Sequence, residues 1–248
     1  MNALAVEGLT KDFGGLRAVD RVTLSASAGE RLAIIGPNGA GKTTFFNLIT
    51  GILPPSSGRI SFFGRDVTRF SIHRRAQLGL ARTFQITALF PHLTVFESAL
   101  LAVQASDSVR FTLHRPATAY PHLMDRADAL LQQWGLLDRR NVQTLHLSYG
   151  EQRQVELVLA LAGTPKVLLL DEPTAGLSPA ETASVSTMIR RLSREITILL
   201  IEHDMDVAFD LVDRVMVLFQ GRILAQGTKE EIRKNPEVME IYLGTDHA

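Results

Sequence analysis

Apolar residues in this chain follow two rhythms. The runs RLAIIG (31–36), KVLLLDE (166–172), ITILLIEH (196–203) and DRVMVLF (213–219) are short and nearly continuous, as expected of strands covered on both faces. Between them lie stretches with apolar positions at helical spacing, beginning with Lys42 to Thr50. Strands alternating with helices predict an α/β fold with a mostly parallel core sheet.

Two regions depart from that rhythm. LAVEGLTKDF, RVTLSASAGE and SGRISFFGRDV alternate with the period of hairpin-connected antiparallel strands, which predicts a β-rich flap. Residues 94–162 are helical in pattern with almost no strand signal, so a helical insert spanning about 86–162 is expected on the same core. Inside it, 106–121 reads as an exposed loop, and DRADALLQQW ends at Gly135, where a helix commonly stops. There is no internal repeat or low-complexity tract, and 1–248 is expected to form a single domain.

Composition narrows the function classes. The 26 basic and 26 acidic residues cancel, which argues against nucleic acid as a partner. Cysteine is absent, which excludes disulfides and thiolate metal sites. The apolar runs are far shorter than the roughly 20 residues a bilayer-spanning helix needs. Met1-Asn2-Ala3 lacks the basic start of a secretory signal, so a cytoplasmic location is expected, with any membrane link made through a partner.

The strongest chemical signal is GPNGAGKT, with Gly36, Pro37, Asn38, Gly39, Ala40, Gly41, Lys42 and Thr43, followed by Thr44. It fits G-x-x-x-x-G-K-[ST] between a strand and a helix. In that setting the loop N–H groups and the helix amino terminus surround phosphate oxygens, Lys42 reaches the β and γ phosphates, and Thr43 ligates Mg²⁺. A second signal is VLLLDEP (167–173), an apolar strand that ends in two carboxylates. Asp171 is the expected holder of Mg²⁺ and Glu172 the base for a water attacking the γ-phosphate. Gln85, after the short strand in ARTFQ, is expected at the metal or the attacking water, and His203, after ITILLIE, at the γ-phosphate. Ser148 in LSYGEQRQ precedes a helix and has Glu151 three positions on, which is also the pattern of an ordinary capping box.

Taken in order, the phosphate loop, Gln85, LSYGEQ, VLLLDEP, TAGLS (174–178) and His203 resemble the ATP-binding cassette (ABC) ATPases across essentially the whole chain. The resemblance implies the P-loop ABC ATPase fold, with the antiparallel β subdomain and the α-helical subdomain, ATP with Mg²⁺, and hydrolysis coupled to transport. It also implies that Ser148 and Gly150 contact the γ-phosphate of ATP held by another subunit, and that Phe13 stacks on adenine. This sequence has Tyr149, Glu151 and Ser178 where the family usually has glycine, glutamine and aspartate. FGGLRAVD, GLARTFQ, LFPHLTVFES and NPEVMEIYLG further resemble the ATPase subunit of branched-chain amino acid (LIV-type) uptake systems, with a shorter insert after 104.

The implied partners are an identical or related ATPase subunit, integral-membrane permeases and, indirectly, a solute-binding protein. The implied location is the cytoplasmic face of the inner membrane. An apolar helix of each permease is expected in a groove that includes some of Leu89, Phe90, Leu93 and Phe96. Related ATPases drive export of lipopolysaccharide, and others act as soluble proteins on ribosomes or DNA. The latter usually carry two cassettes or a long coiled coil, which 248 residues of this composition do not hold. A nucleotide kinase would share the phosphate loop but leaves LSYGEQ and His203 unexplained.

Overall fold

The computed structural model describes residues 1–83, 89–110 and 115–244. In chain order the first elements are β1 (Asn2–Phe13), β2 (Leu16–Ser27), β3 (Arg31–Ile35), α1 (Lys42–Thr50), β4 (Ser57–Phe62), β5 (Arg65–Asp66), α2 (Ile72–Gln77) and β6 (Leu80–Arg82). Then come α3 (Val95–Ala105), α4 (Pro121–Gln133), α5 (Tyr149–Leu161), β7 (Val167–Asp171) and α6 (Pro179–Arg191). The last are β8 (Thr197–Ile201), α7 (Met205–Leu211), β9 (Arg214–Phe219), β10 (Arg222–Thr228), α8 (Lys229–Arg233) and α9 (Pro236–Gly244). These residues form two compact units, one from Met1–Arg82, Lys166–Ala175 and Leu192–Ala248, the other from Thr83–Pro165 and Gly176–Arg191.

The first unit holds both sheets. One is antiparallel, in the order β2-β1-β4-β5, and the other runs β10-β9-β3-β8-β7-β6. In the larger sheet every neighbouring pair is parallel except β9 with the edge strand β10. Strands β3, β7 and β8 are buried at every position, which explains their unbroken apolar runs. In contrast β2 alternates, with Val22, Leu24 and Ala26 inward and polar residues between them outward. Helix α1 sends Phe45, Phe46, Leu48 and Ile49 into a core shared with Leu32 and Ile34 of β3 and Leu4 and Leu9 of β1. Each buried phenylalanine contributes roughly 1.5–3 kcal/mol of transfer free energy.

The far end of α1 is secured by an arginine that the hydropathy pattern does not single out. Arg75 of α2 is fully buried and donates to the carbonyls of Leu48, Ile49, Thr68 and Phe70 at 2.6–3.1 Å. Burial lowers its pKa to about 10, so it remains a cation at neutral pH, and its charge sits at the negative end of the α1 dipole.

The second unit is a helical layer. Val95, Ala99 and Val103 of α3 and Leu123, Ala127 and Leu131 of α4 form i, i+4 stripes, buried together with Val155 and Val158 of α5. Thr94 and Glu97 close a capping box at the start of α3, and Gly135, at φ 73°, follows the end of α4. This unit is wider than the insert the periodicity outlines, because it starts at 83, runs to 165 and takes in α6.

Candidate functional site

Between β3 and α1 the chain turns through residues 36–41. Gly36 has φ 149°, and a Cβ there would run into the Leu218 carbonyl of β9, so only glycine fits this close approach. Gly41 caps α1 in the left-handed conformation, and no acidic residue in the first turn offsets the positive end of the helix. Lys42 is 6% exposed, and its Nζ donates to the carbonyls of Gly36 at 2.6 Å and Pro37 at 3.0 Å. Burial lowers its pKa, while Glu172 and Asp171 act in the opposite sense. The ammonium is therefore held across the loop by two carbonyls, which a phosphate group can replace. Asn38, Gly39 and Thr43 are exposed, and Pro37, Gly41 and Thr44 are half-buried.

Strand β7 delivers the two carboxylates with different surroundings. Asp171 is buried, and its Oδ2 accepts from Nη2 of Arg82 at 2.6 Å. Its Oδ1 has no hydrogen-bond partner among the described residues. Burial raises the pKa of Asp171 and the Arg82 contact opposes that rise. A buried carboxylate oxygen without a donor suits a divalent cation or its bound water, so the site fits Mg²⁺.

Glu172 adopts φ 49°, a conformation uncommon outside glycine. Its amide donates to the Ile201 carbonyl at 2.9 Å, and its Oε1 lies 2.6 Å from Nε2 of His203, which is itself exposed. His203, expected at the γ-phosphate, thus meets the carboxylate expected to act as base. Glu202 ties the two segments together. Its Oε1 accepts from Thr174 N and Oγ1, and its Oε2 accepts from His203 N. Burial raises the Glu202 pKa, opposed by these donors.

Phe13 ends β1 beside the hairpin turn and is 45% exposed, with the Lys11 ammonium 5.1 Å from its ring centroid. An exposed face of this kind is available for stacking, and the nearby cation suits an electron-rich or phosphorylated ligand. Gln85 lies outside the described residues.

Ser148 and Gly150 belong to the helical unit. Ser148 caps α5: its Oγ accepts from Glu151 N at 3.2 Å and its own N donates to Glu151 Oε2 at 2.9 Å. Glu151 is held further by Arg139 at 2.8 Å. Gly150 N donates to Glu181 Oε1 of α6 at 3.1 Å, while the other Glu181 oxygen accepts from Ser178 N and Oγ. A Cβ on Gly150 would come within 2.6 Å of the Glu181 side chain. Tyr149 turns its hydroxyl to Arg153 Nη2 at 2.8 Å, and Arg153 also pairs with Glu156 at 3.1 Å. The three departures from the usual motif thus have local partners: Glu151 and Ser178 complete helix caps, and the exposed Tyr149 reaches the buried Arg153–Glu156 pair.

Sequence reading missed Arg82, Glu202 and Glu181. The signal for the first two was a charged residue at the end of a strand or directly after one, where a buried ion must find a partner. For Glu181 it was Ser178-x-x-Glu181, a capping box at the start of α6.

A family profile described as "ABC transporter" matches residues 19–175, and one described as "Branched-chain amino acid ATP-binding cassette transporter" matches 222–248. The chain is 44% identical to the high-affinity branched-chain amino acid transport ATP-binding protein LivG of Salmonella typhimurium, over 97% of both chains. It is 40% identical to the corresponding protein BraF of Pseudomonas aeruginosa, again over 97% of both. Among solved structures it is similar to the ADP conformation of MJ1267, an ATP-binding cassette of an ABC transporter. That likeness has a TM-score of 0.88 at 31% identity and covers 98% of this chain and 99% of the other.

Proposed function

The chain belongs to the ABC transporter family of ATP-binding cassettes, and from that membership we propose that it is the ATP-hydrolysing subunit of an importer for branched-chain amino acids. The observation that carries the solute is the whole-chain likeness to LivG and BraF, which extends to the separate profile at the carboxyl end. We take 1–248 as one cassette working as a homodimer or with a related subunit, on the cytoplasmic face of the inner membrane. Among the described residues no helix is long and apolar enough to cross a membrane, so contact with the permeases supplies the attachment.

In this reading ATP is the substrate and Phe13 stacks on its base. The loop amides and the α1 amino terminus take the phosphates, and Lys42 exchanges the Gly36 and Pro37 carbonyls for β- and γ-phosphate oxygens. Glu172 accepts a proton from the attacking water, and His203 holds the Glu172 carboxylate at the bend that ends β7. Thr43 and Asp171, with Gln85, are the residues that would hold Mg²⁺, which when bound neutralises charge on the β and γ phosphates. Ser148 and Gly150 supply a hydroxyl and an amide to ATP bound by the other subunit.

The test is reconstitution with the cognate permeases in proteoliposomes. Leucine-, isoleucine- or valine-loaded binding protein is expected to raise ATP turnover several-fold and to drive uptake of that solute. Turnover stimulated by an unrelated solute, with no response to these three, overturns the assignment.

A further inference from the structure

Arg82 closes β6, three residues before Gln85 in the chain. Its side chain is 6% exposed and that of Asp171 is 2%. Among the described residues the guanidinium reaches acceptors on two elements: Nη2 donates to Asp171 Oδ2 at 2.6 Å, and Nη1 donates to Asn47 Oδ1 on α1 at 2.7 Å. It also stands 5.5 Å from the centroid of the Phe46 ring. Buried arginine–carboxylate pairs are frequently bidentate, since the planar fork matches both oxygens. Here the second donor goes to the phosphate-loop helix instead. The consequence is a buried Asp171 Oδ1 with no donor among the described residues, an exception that calls for a cation or a water.

We propose that Arg82 is a positioning residue that turns Asp171 so that Oδ1 faces the nucleotide's divalent cation, and that it fixes this orientation to α1, the helix that follows the phosphate loop, through Asn47. The inference rests on Asp171 as a holder of Mg²⁺. A lysine cannot replace the fork, because a single ammonium cannot span both acceptors with planar geometry. Residues that orient a metal-holding group typically change metal affinity about 10- to 100-fold when replaced.

The experiment measures Mn²⁺ binding to the complex of the intact chain with ATP by electron paramagnetic resonance. In parallel, the affinity for a fluorescent ATP analogue is measured in EDTA. Arg82→Gln is expected to weaken Mn²⁺ binding about tenfold while metal-free nucleotide affinity stays within about twofold. Arg82→Lys, which keeps the charge, is expected to recover only part of that loss. Asn47→Ala, which leaves the ion pair in place, is expected to lose about threefold, and it carries the test should Arg82→Gln not fold. Asp171→Asn serves as the reference. Loss of Mn²⁺ binding in Asp171→Asn together with wild-type binding in Arg82→Lys and Asn47→Ala overturns the role of Arg82. Wild-type Mn²⁺ binding in Asp171→Asn overturns the metal-holding reading beneath it.

Discussion

Glu172 stands at the point where the backbone leaves β7, at φ 49°, and a non-glycine residue held there costs of the order of 1–3 kcal/mol. The surroundings over-determine it: its amide is fixed to Ile201, its carboxylate to His203, and the loop that follows to Glu202 through Thr174. Such strain is retained where it directs a side chain, here toward the exposed His203. Exchanging the carboxylate for an amide keeps this shape and removes the proton acceptor. Glu172→Gln is therefore expected to bind ATP within about twofold of the parent and to lose about 10²–10⁴ in turnover, measured by nucleotide binding and phosphate release. Turnover near that of the parent would remove Glu172 from the chemistry. His203→Ala should lower the rate with unchanged ATP binding, because the carboxylate then loses the group that holds it.

Helix ends carry much of the site, and they differ in how far the sequence discloses them. Lys42–Thr50 was readable as a helix from its apolar spacing and from the glycines before it, and the structure has α1 at those residues. The four buried strands were readable for the same reason, since a strand covered on both faces leaves a continuous apolar run. What the pattern does not reveal are polar partners distant in sequence. Arg75 lies 26 residues and more from the α1 carbonyls it caps, and Glu181 lies 31 residues from the Gly150 amide it takes. Arg75→Met keeps the volume and leaves those buried carbonyls without donors, so a loss of about 3 kcal/mol or more in urea unfolding is expected. An unchanged midpoint would show that water replaces the guanidinium. At the start of α5 the capping box and Glu181 occupy the Ser148 and Gly150 groups in the isolated chain. If these groups serve ATP on another subunit, Ser148→Arg should abolish ATP-dependent dimerisation in light scattering while monomer ATP affinity stays within about twofold, since the cap itself is worth only about 1 kcal/mol. Parallel loss of monomer binding would count against a role across the dimer.

Transport requires the cassette to meet a membrane partner, and the helical unit has a surface suited to that. Leu89, Phe90, Leu101, Ala102 and Leu159 line an apolar groove of about 190 Å³, in which Phe90 is 59% and Leu101 44% exposed. Of the side chains expected to face a groove, Phe90 is the exposed one. Leu89 and Leu93 are half-buried, and Phe96 lies half-buried beneath the Arg140 guanidinium at 4.4 Å. A ring of that size left in solvent is consistent with an apolar helix from a permease docking there by helix-in-groove recognition. The backbone at Phe90 is held independently of its ring, because its carbonyl accepts from Thr144 Oγ1 at 2.7 Å and from Leu93 N at 3.1 Å. Phe90→Glu should therefore leave the fold and the basal ATPase of the isolated chain within about twofold of the parent, as exposed substitutions usually do. In the reconstituted transporter the same change places a carboxylate against an apolar face, so co-purification with the permeases and leucine uptake should both fall at least about tenfold, the equivalent of some 1.4 kcal/mol. Leu101→Glu, on α3 across the groove, should have the same effect. Full uptake by both variants, with permeases recovered at the parent's yield, would place the docking surface elsewhere on the molecule.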